Sequence, residues 1–452
     1  MKETAVPPGG LGPTYAALDD WIRQETIPFS VDSPGTLDAA VDRIVGSLGD
    51  RVELLGLGEA LHGGEEILLL RNRLFRHLVE AHGYSAIAIE SSLPRARVVD
   101  EYVAGRGPAS YEAVEETGFS HGFGRLDANR ELVKWMRAYN ADPSRRVPLR
   151  FYGFDSPTEM MSSDSPRRLL QLVLEYLAPV DGPGGRERRE RIEALLGPDA
   201  AWENPAANMD PAQSVGLSPA AAALRLETED LVTDLRVRRP ELAARTGEDA
   251  YLEALHHASA ARQLLTYHAA VARPSAAGER IVRLLGMRDA MMADNLAYMV
   301  SRERARGRVL AFAHNSHLRR GRAEWQLGPH ALAWWTAGAQ LDAILGTGYA
   351  VIGSAVGVSG DGGIGRPEAG TLEALLTATP GPARFVPTHR GRGLPAEEIA
   401  ALPTRSASTR NSTCFPLTPW SLAEFDWLAV LDSTAYARGG RPLPQPDAGP
   451  GQ

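Results

Sequence analysis

The chain has 452 residues, of which 44% are hydrophobic and 23% charged, and this composition is typical of a globular protein with a sizeable core. A net charge of −8 argues against a nucleic-acid-binding surface, and no apolar run reaches the roughly 18 residues needed to cross a membrane. The single cysteine, Cys414, excludes an internal disulfide, and the start MKETAVPPGG lacks a signal-peptide pattern, so we expect a cytoplasmic protein without nucleic-acid or membrane partners.

Six short apolar runs, each bounded by turn or charged residues, predict buried strands. They are Val52–Leu57, Ser85–Ile89, Pro148–Phe154, Val309–Ala313, Tyr349–Val356 and Trp427–Leu431. Between the first two runs, apolar residues recur at helical spacing over Glu65–His82. A strand, a helix and a strand in this order indicate a βαβ unit with parallel strands. The predicted fold class is therefore α/β, with a mostly parallel sheet flanked by helices.

The rest of the chain is arranged around this sheet. We expect residues 15–164 and 278–437 to form an α/β catalytic core, with a helical insertion or lid over residues 165–277. Residues 1–14 are expected to be a flexible N-terminus. Residues 438–452, RGGRPLPQPDAGPGQ, are expected to be a disordered tail, because they are rich in Gly and Pro and have nothing to bury.

Four of the predicted strands lead into ionisable residues. The first delivers Glu59 and then His62, and the others deliver Glu90, Asp155 and His314. Because ligands bind outside the carboxyl ends of the strands in an open parallel sheet, we expect these side chains to converge at one edge. One polar residue after a strand is ordinary, since loops are polar. Four strands that end this way, with two imidazoles among the residues, predict a shared site.

The segment from Gly58 to Gly64, GEALHGG, carries the most specific chemistry. A carboxylate three residues from an imidazole can hold one ring nitrogen while the other takes a proton from water, which accelerates a reaction about 10²–10⁴-fold. Glu65 and Glu66 follow in the first helical turn, where carboxylates stabilise the helix dipole. That structural role is favoured for Glu66, and Glu65 is a candidate for substrate binding. Arg71 lies two turns further on, pointing either to the site or to solvent.

Other motifs carry weaker signals. Gly118–Gly122, GFSHG, matches the nucleophile elbow, but a polar run precedes it and no helix follows, so Ser120 is not favoured as a nucleophile. Gly360–Gly365 matches a dinucleotide-binding pattern, but a proline follows where a helix should begin. The spacing of His314 and His317 matches no common zinc motif, so no metal and no cofactor are predicted.

From Gly58 to Ser91 the sequence resembles the signature block of the erythromycin esterase family. That block contains glycine, glutamate, histidine and glycine, then an arginine-containing helix and a strand that ends in glutamate. Further stretches resemble family blocks in the same order, and they are Leu93–Val103, Glu131–Asn140, Phe151–Asp155, Met287–Asn295, Ala311–His317 and Phe425–Thr434. The resemblance spans nearly the whole chain outside the two ends and the central helices.

The resemblance implies an α/β core with helical additions, and hydrolysis of an ester or lactone in a bulky apolar small molecule such as a macrolide, a reaction that confers antibiotic resistance. Carried over by position, His62 activates water without a covalent intermediate, and Glu59 orients it. The remaining residues of the polar cluster around the water and the oxyanion are Arg71, Glu90, Arg288 and His314. The same comparison leaves open whether Arg71 or His314 stabilises the oxyanion.

Weaker candidates follow from the same resemblance. Asp155 and Asp289 match polar positions of the family, and the residues assigned to substrate binding are Asp155, Arg288 and Glu65. The sequence departs from the family at Leu61, where many members carry a hydroxyl residue before the histidine. That difference predicts that His62 is held by other contacts than in those members.

Two other functions stay open. In a biosynthetic pathway the same acid–base residues could cyclise, eliminate from or rearrange a polyketide-like compound. The central helices, which do not match the family, favour this alternative. A non-catalytic function would use His62 and His314 as ligands of a metal or haem, since related folds bind such groups, and the metal content of the purified protein would distinguish it.

Overall fold

The computed structural model describes residues 15–159, 162–441 and 443. The predicted flexible segment 1–14 lies outside these residues, as does the end of the predicted tail from residue 444. Twelve strands are present in the described part, and they are β1 (Ile27–Phe29), β2 (Leu54–Glu59), β3 (Tyr84–Ser92), β4 (Arg150–Asp155), β5 (Thr158–Glu159), β6 (Ser162–Ser163), β7 (Arg308–His314), β8 (Arg322–Leu327), β9 (His330–Trp335), β10 (Tyr349–Val358), β11 (Ala383–Pro387) and β12 (Trp427–Ser433).

Eight of the strands form one sheet in the order β1-β11-β12-β10-β2-β7-β3-β4. The six strands from β12 to β4 run parallel, and they are the six that the sequence predicts. At the other edge β11 pairs antiparallel with β12, and β1 pairs antiparallel with β11. Sequence reasoning missed β1 and β11 because both are short and contain proline, which cannot donate a backbone N–H to the sheet. The predicted α/β fold class is confirmed.

Helices cover both faces of this sheet. Those in the described residues are α1 (Ala16–Glu25), α2 (Pro34–Leu48), α3 (Glu65–His82), α4 (Leu93–Val103), α5 (Glu112–Glu115), α6 (Asp127–Ala141), α7 (Arg167–Leu177), α8 (Pro183–Leu196), α9 (Asp199–Trp202), α10 (Pro219–Val237), α11 (Arg239–Thr246), α12 (Glu248–Val271), α13 (Ala277–Glu303), α14 (Asn315–Leu318), α15 (Ala337–Leu345), α16 (Leu372–Thr377), α17 (Ala396–Ala400) and α18 (Ser421–Glu424). Within the described ranges, none of these helices has the length and apolar character required to cross a bilayer.

Alternate side chains of each central strand enter two separate cores, one on each face of the sheet. On β3, Ala86 and Ala88 belong to the core that contains α13, whereas Ile87 and Ile89 belong to the core that contains α3 and α4. Both isoleucines are almost fully buried, and burial of such a side chain contributes about 1.5–3 kcal/mol. The sheet is therefore a rigid central layer, and its carboxyl edge is a stable support for polar side chains.

The central region is helical, as the sequence predicts. Helices α7 to α12 occupy residues 167–271. Leu170 of α7 and Leu265 of α12 belong to the same core as Met292 of α13, so these helices continue the layer on one face of the sheet. The role of this region as a lid stays a prediction.

Candidate active site

The ionisable residues predicted at the strand ends lie on four neighbouring strands, β2, β7, β3 and β4. Glu59, at the end of β2, is in register with His314 at the end of β7. The two strand ends are very close at Gly58, where an added Cβ atom would lie 2.2 Å from the side-chain oxygen of Asn315. Only glycine permits this approach, which keeps Glu59 and His314 beside each other.

Glu59 and His62 form a hydrogen-bonded pair. Nδ1 of His62 donates to Oε1 of Glu59 at 2.5 Å. Burial raises the pKa of Glu59, and the charge of His62 and the hydrogen bond to it oppose that shift. Glu59 is buried, whereas the His62 side chain is 31% exposed. Among the described residues, Nε2 of His62 has no hydrogen-bond partner, and this nitrogen can accept a proton from a molecule outside the protein.

The environment of His62 favours its protonated form. Burial of the inner side of the ring lowers its pKa, but the negative charge of Glu59 and the hydrogen bond to it outweigh burial, so the pKa of His62 lies above its ordinary value of 6.5. A base whose pKa lies near or above neutrality takes a proton from water more readily than an unperturbed imidazole.

His314 is neutral and fully hydrogen-bonded. Its Nε2 donates to the carbonyl of Thr413 at 2.7 Å, and its Nδ1 accepts from the hydroxyl of Ser316 at 2.6 Å. Burial, with a contribution from the charge of nearby His62, lowers the pKa of His314 to about 3. The two imidazole rings are 5.1 Å apart between centroids. A metal or haem could use His314 as a ligand only by breaking one of these bonds.

Arg288 connects two buried carboxylates. Its guanidinium donates to both oxygens of Asp155, at 2.9 and 2.7 Å, and to Oε1 of Glu90 at 3.0 Å. Burial raises the pKa of Glu90, but the charge of His317 and its hydrogen bond, followed by the charges of His62 and Arg288, outweigh burial, and the pKa lies well below the usual value. The other oxygen of Glu90 accepts the backbone N–H of His314 at 2.8 Å. An ionised Glu90 thus links the charged network to the strand that carries His314.

His317 and Asp289 extend this network. Nδ1 of His317 donates to Asp289 at 2.7 Å, and its Nε2 lies 3.4 Å from Glu90. Burial opposes the charge of His317, but the two carboxylates outweigh it and raise the pKa to about 10, so His317 is an imidazolium at neutral pH. Asp289 also accepts from the indole N–H of Trp334 and the backbone N–H of Ala337. These four bonds fix the side chains behind His314.

His121 belongs to the site, and sequence reasoning missed it. Its Nε2 lies 3.0 Å from Oδ2 of Asp155, and its ring is 5.3 Å from that of Phe123, which is 5.6 Å from the ring of His62. The motif around Ser120 drew attention to the serine, yet the neighbouring histidine is the residue that faces Asp155. Its backbone φ of 57° is left-handed, which the sequence does not reveal.

Arg71 lines the same cavity as Glu59. Its Nε and Nη2 donate to the side-chain oxygen of Asn72, and its guanidinium lies 4.8 Å from the Phe312 ring centroid. Burial lowers the pKa of Arg71 to about 10, so the side chain stays charged at neutral pH. Arg71, Glu59 and Glu90 line one small cavity with a volume of about 10 Å³, which is the space of roughly one water molecule. Oε2 of Glu59 is buried and has no partner within the described residues.

The structure does not bring Glu65 to this cluster. Both oxygens of the Glu65 carboxylate bind Arg438, one through its backbone N–H at 3.1 Å and the other through Nε at 2.9 Å. Glu66 accepts from the hydroxyl of Thr434 and the backbone N–H of Ala435, each at 2.7 Å. The two carboxylates at the start of α3 therefore hold the C-terminal segment against the helix.

A cation in the centre of the site would compete with Arg288. Within the described part of the chain, Glu90, His121 and Asp155 place ligand atoms within 4.8 Å of one another. Arg288 already binds both carboxylates of that group, and it supplies the positive charge that two buried carboxylates require. The guanidinium of Arg288 therefore already neutralises Glu90 and Asp155, the two carboxylates that a metal ion would bind.

A sequence model of the erythromycin esterase family matches residues 79–434. The chain belongs to the erythromycin esterase family. The erythromycin esterase type II of Escherichia coli is 24% identical over 317 residues, which cover 67% of this chain and 69% of that protein. The type I enzyme of Escherichia coli is 26% identical over 141 residues, which cover 31% and 33% respectively.

Solved structures share the fold at low sequence identity. A Bacillus cereus protein has a TM-score of 0.71 at 17% identity and covers 94% of this chain and 98% of its own. A succinoglycan biosynthesis protein has a TM-score of 0.70 at 19% identity and covers 95% and 100%. A mutant erythromycin esterase in its open conformation has a TM-score of 0.62 at 18% identity and covers 91% and 98%.

The structure shows which contacts hold His62 next to Leu61. Leu61 is fully buried, and the hydroxyl that contacts the histidine comes from another part of the chain: Oγ1 of Thr413 accepts the backbone N–H of His62 at 3.0 Å. The same hydroxyl donates to Asn411 at 2.6 Å, and the Thr413 carbonyl accepts from His314. One residue of a distant loop thus binds the backbone of His62 and the ring of His314.

Arg288→Met is expected to destabilise the fold by about 3–5 kcal/mol, because it leaves Glu90 and Asp155 buried without their cation. Urea denaturation measures the effect. Arg304→Met is the matched control, since Arg304 pairs with Glu53 at the surface and is 60% exposed. The control is expected to lose less than about 1 kcal/mol. Equal losses in the two variants would contradict the structural role of Arg288.

Proposed function

We propose that the protein hydrolyses an ester or lactone bond in a macrolide-like small molecule, with His62 as the base that activates water. The observation that carries the proposal is the Glu59–His62 pair, in which a buried carboxylate holds Nδ1 and leaves Nε2 toward the exposed side. Family membership supports the same reaction class.

In the proposed reaction, Nε2 of His62 takes a proton from water as the water oxygen attacks the ester carbonyl carbon. The C–O bond to the alcohol part then breaks, and the imidazolium returns the proton to the leaving oxygen. Glu59 stabilises the transient positive charge on the ring, since its carboxylate accepts from Nδ1 throughout. No covalent acyl-enzyme is required, because water itself is the nucleophile.

Arg71 is our candidate for stabilising the negative charge that develops on the carbonyl oxygen. Such electrostatic stabilisation is often the largest single contribution to catalysis. Arg71 lines the cavity next to Glu59, and its Nη1 has no hydrogen-bond partner among the described residues. His314 is less suited to this role, because Nε2–H already donates to the Thr413 carbonyl.

The experiment that tests the proposal is mass spectrometry of macrolide lactones and simpler esters incubated with the purified protein. A product heavier by one water, absent with the His62→Ala variant, would support hydrolysis and identify the substrate. A folded variant that forms the same product at the normal rate would rule out His62 as the base.

The alternative reaction is a biosynthetic cyclisation, elimination or rearrangement by the same acid–base residues. The observation that favours it is the low identity of 24% to a curated esterase. The same mass spectra separate the two, since elimination removes a water and rearrangement keeps the mass. A product of either kind that depends on His62 would replace the esterase proposal.

A further inference from the structure

We propose that Asp42, His77 and His82 form a surface binding site for a divalent transition-metal ion of the zinc class. The three side chains lie where α2 and α3 pack together, on the outer face of the molecule and away from the candidate active site. Among the described residues they are one of two groups whose ligand atoms all lie within 4.8 Å of one another. Neither the family resemblance nor the proposed hydrolysis gives this cluster a role.

The ring nitrogens of the two histidines meet at one carboxylate oxygen. Nε2 of His77 and Nε2 of His82 both lie 2.7 Å from the same oxygen, Oδ1 of Asp42. The two imidazole rings are 5.4 Å apart and nearly perpendicular, so their nitrogens approach the carboxylate from different directions. A tetrahedral zinc ion holds its ligand atoms about 3.3 Å apart, and a small outward rotation of the exposed Asp42 side chain provides that spacing.

A further carboxylate lies near one of the imidazoles. Nδ1 of His77 lies 3.5 Å from Oδ1 of Asp38, one turn before Asp42 on α2. A carboxylate that holds the Nδ1 proton leaves the lone pair of Nε2 for a metal, which is the arrangement that supports histidine ligands in metal sites. With a metal at Nε2 in place of Asp42, the His77 proton would lie on Nδ1, and Asp38 is the carboxylate beside that nitrogen.

The ligand set selects the class of ion. Two imidazole nitrogens and one carboxylate suit zinc and neighbouring transition metals, whereas calcium and magnesium prefer sites made only of oxygen. His82 is the last residue of α3, and the negative end of the helix dipole adds attraction for a cation there. Asp42 is 54% exposed, so an ion and a completing water molecule can reach the site from solvent.

Binding would connect two helices. Asp42 lies on α2 and both histidines lie on α3, the helix that begins directly after the His62 turn. An ion that binds only the folded protein stabilises it in proportion to the logarithm of its free concentration. The site is therefore expected to raise the thermal midpoint without entering the chemistry of the proposed hydrolysis.

The test is a calorimetric titration of the full-length, metal-free protein with zinc sulfate at pH 7.5, with circular dichroism to show that each variant is folded. We expect one zinc ion per chain for the unaltered protein, and at least about ten-fold weaker binding for the double variant His77→Gln/His82→Gln. The matched control His389→Gln, which removes an exposed histidine elsewhere, is expected to bind like the unaltered protein.

A second variant tests the site in case the double variant does not fold. Asp42→Asn changes only an exposed side chain, and we expect it to weaken zinc binding with the thermal midpoint in chelator unchanged within about 2 °C. Full-affinity binding by the folded double variant would place the ion elsewhere and overturn the proposal. Absence of zinc binding to the unaltered protein would overturn it as well.

Discussion

His62→Asn is expected to lower kcat by about 10²–10⁴-fold, because the variant keeps a donor toward Glu59 but has no nitrogen that can accept a proton from water. His62→Ala is expected to lose as much activity. It also leaves the buried Glu59 without its partner, so its stability is expected to fall further than that of the Asn variant. Steady-state kinetics and urea denaturation of both variants separate the two effects.

The control for this prediction is a histidine remote from the site. His389→Asn changes an exposed imidazole and is expected to retain normal kcat and stability. A folded His62→Asn variant with near-normal kcat would show that another group activates the water. If activity fell only in proportion to the amount of folded protein, His62 would have a structural role and no catalytic one.

The sequence predicted the parallel part of the fold because hydrophobic patterning is strong in buried strands. All six apolar runs are strands, and all six lie in the parallel part of the sheet. The polar residues at the ends of β2, β3, β4 and β7 lie close together, because these strands are neighbours and parallel strands end at a common edge. The helical pattern of α3 likewise gave the correct bounds, Glu65–His82, because its apolar residues recur through the whole helix.

Contacts between distant parts of the chain could not be predicted. Thr413 binds the backbone of His62, 351 residues away, and no local pattern records that contact. Glu65 binds Arg438 from the C-terminal segment, so its position in the first helical turn did not indicate its partner. The role of His121 depends on a left-handed backbone conformation that single-sequence patterns do not encode for histidine.

The sequence also could not show which ring nitrogens of the two histidines form hydrogen bonds within the protein. The spacing of His62 and His314 relative to their strands made both of them candidates for catalysis. Only the structure shows that His314 uses both ring nitrogens within the protein, whereas His62 uses one. The chemical difference between two similar imidazoles therefore follows from the loop around Thr413 and from Ser316, which complete the bonds of His314.

Glu59→Gln is expected to lower kcat by about 10²-fold and to move the acid limb of the pH–activity profile to lower pH. In the unaltered protein activity rises with pH as His62 loses its proton, and this limb lies above 6.5 because Glu59 raises the pKa of His62. The glutamine oxygen still accepts from Nδ1, so the ring keeps its orientation. Without the negative charge, burial dominates and the pKa of His62 falls.

Glu66→Gln is the matched control for the charge change. Glu66 is seven residues further along the same segment, and its carboxylate binds Thr434 and Ala435. We expect its pH profile to match that of the unaltered protein and its kcat to change less than about three-fold, a loss of under roughly 1 kcal/mol in activation free energy. An acid limb that stays in place in Glu59→Gln would show that Glu59 does not set the pKa of the base. A shift of equal size in both variants would assign the effect to overall charge, because only Glu59 contacts the imidazole.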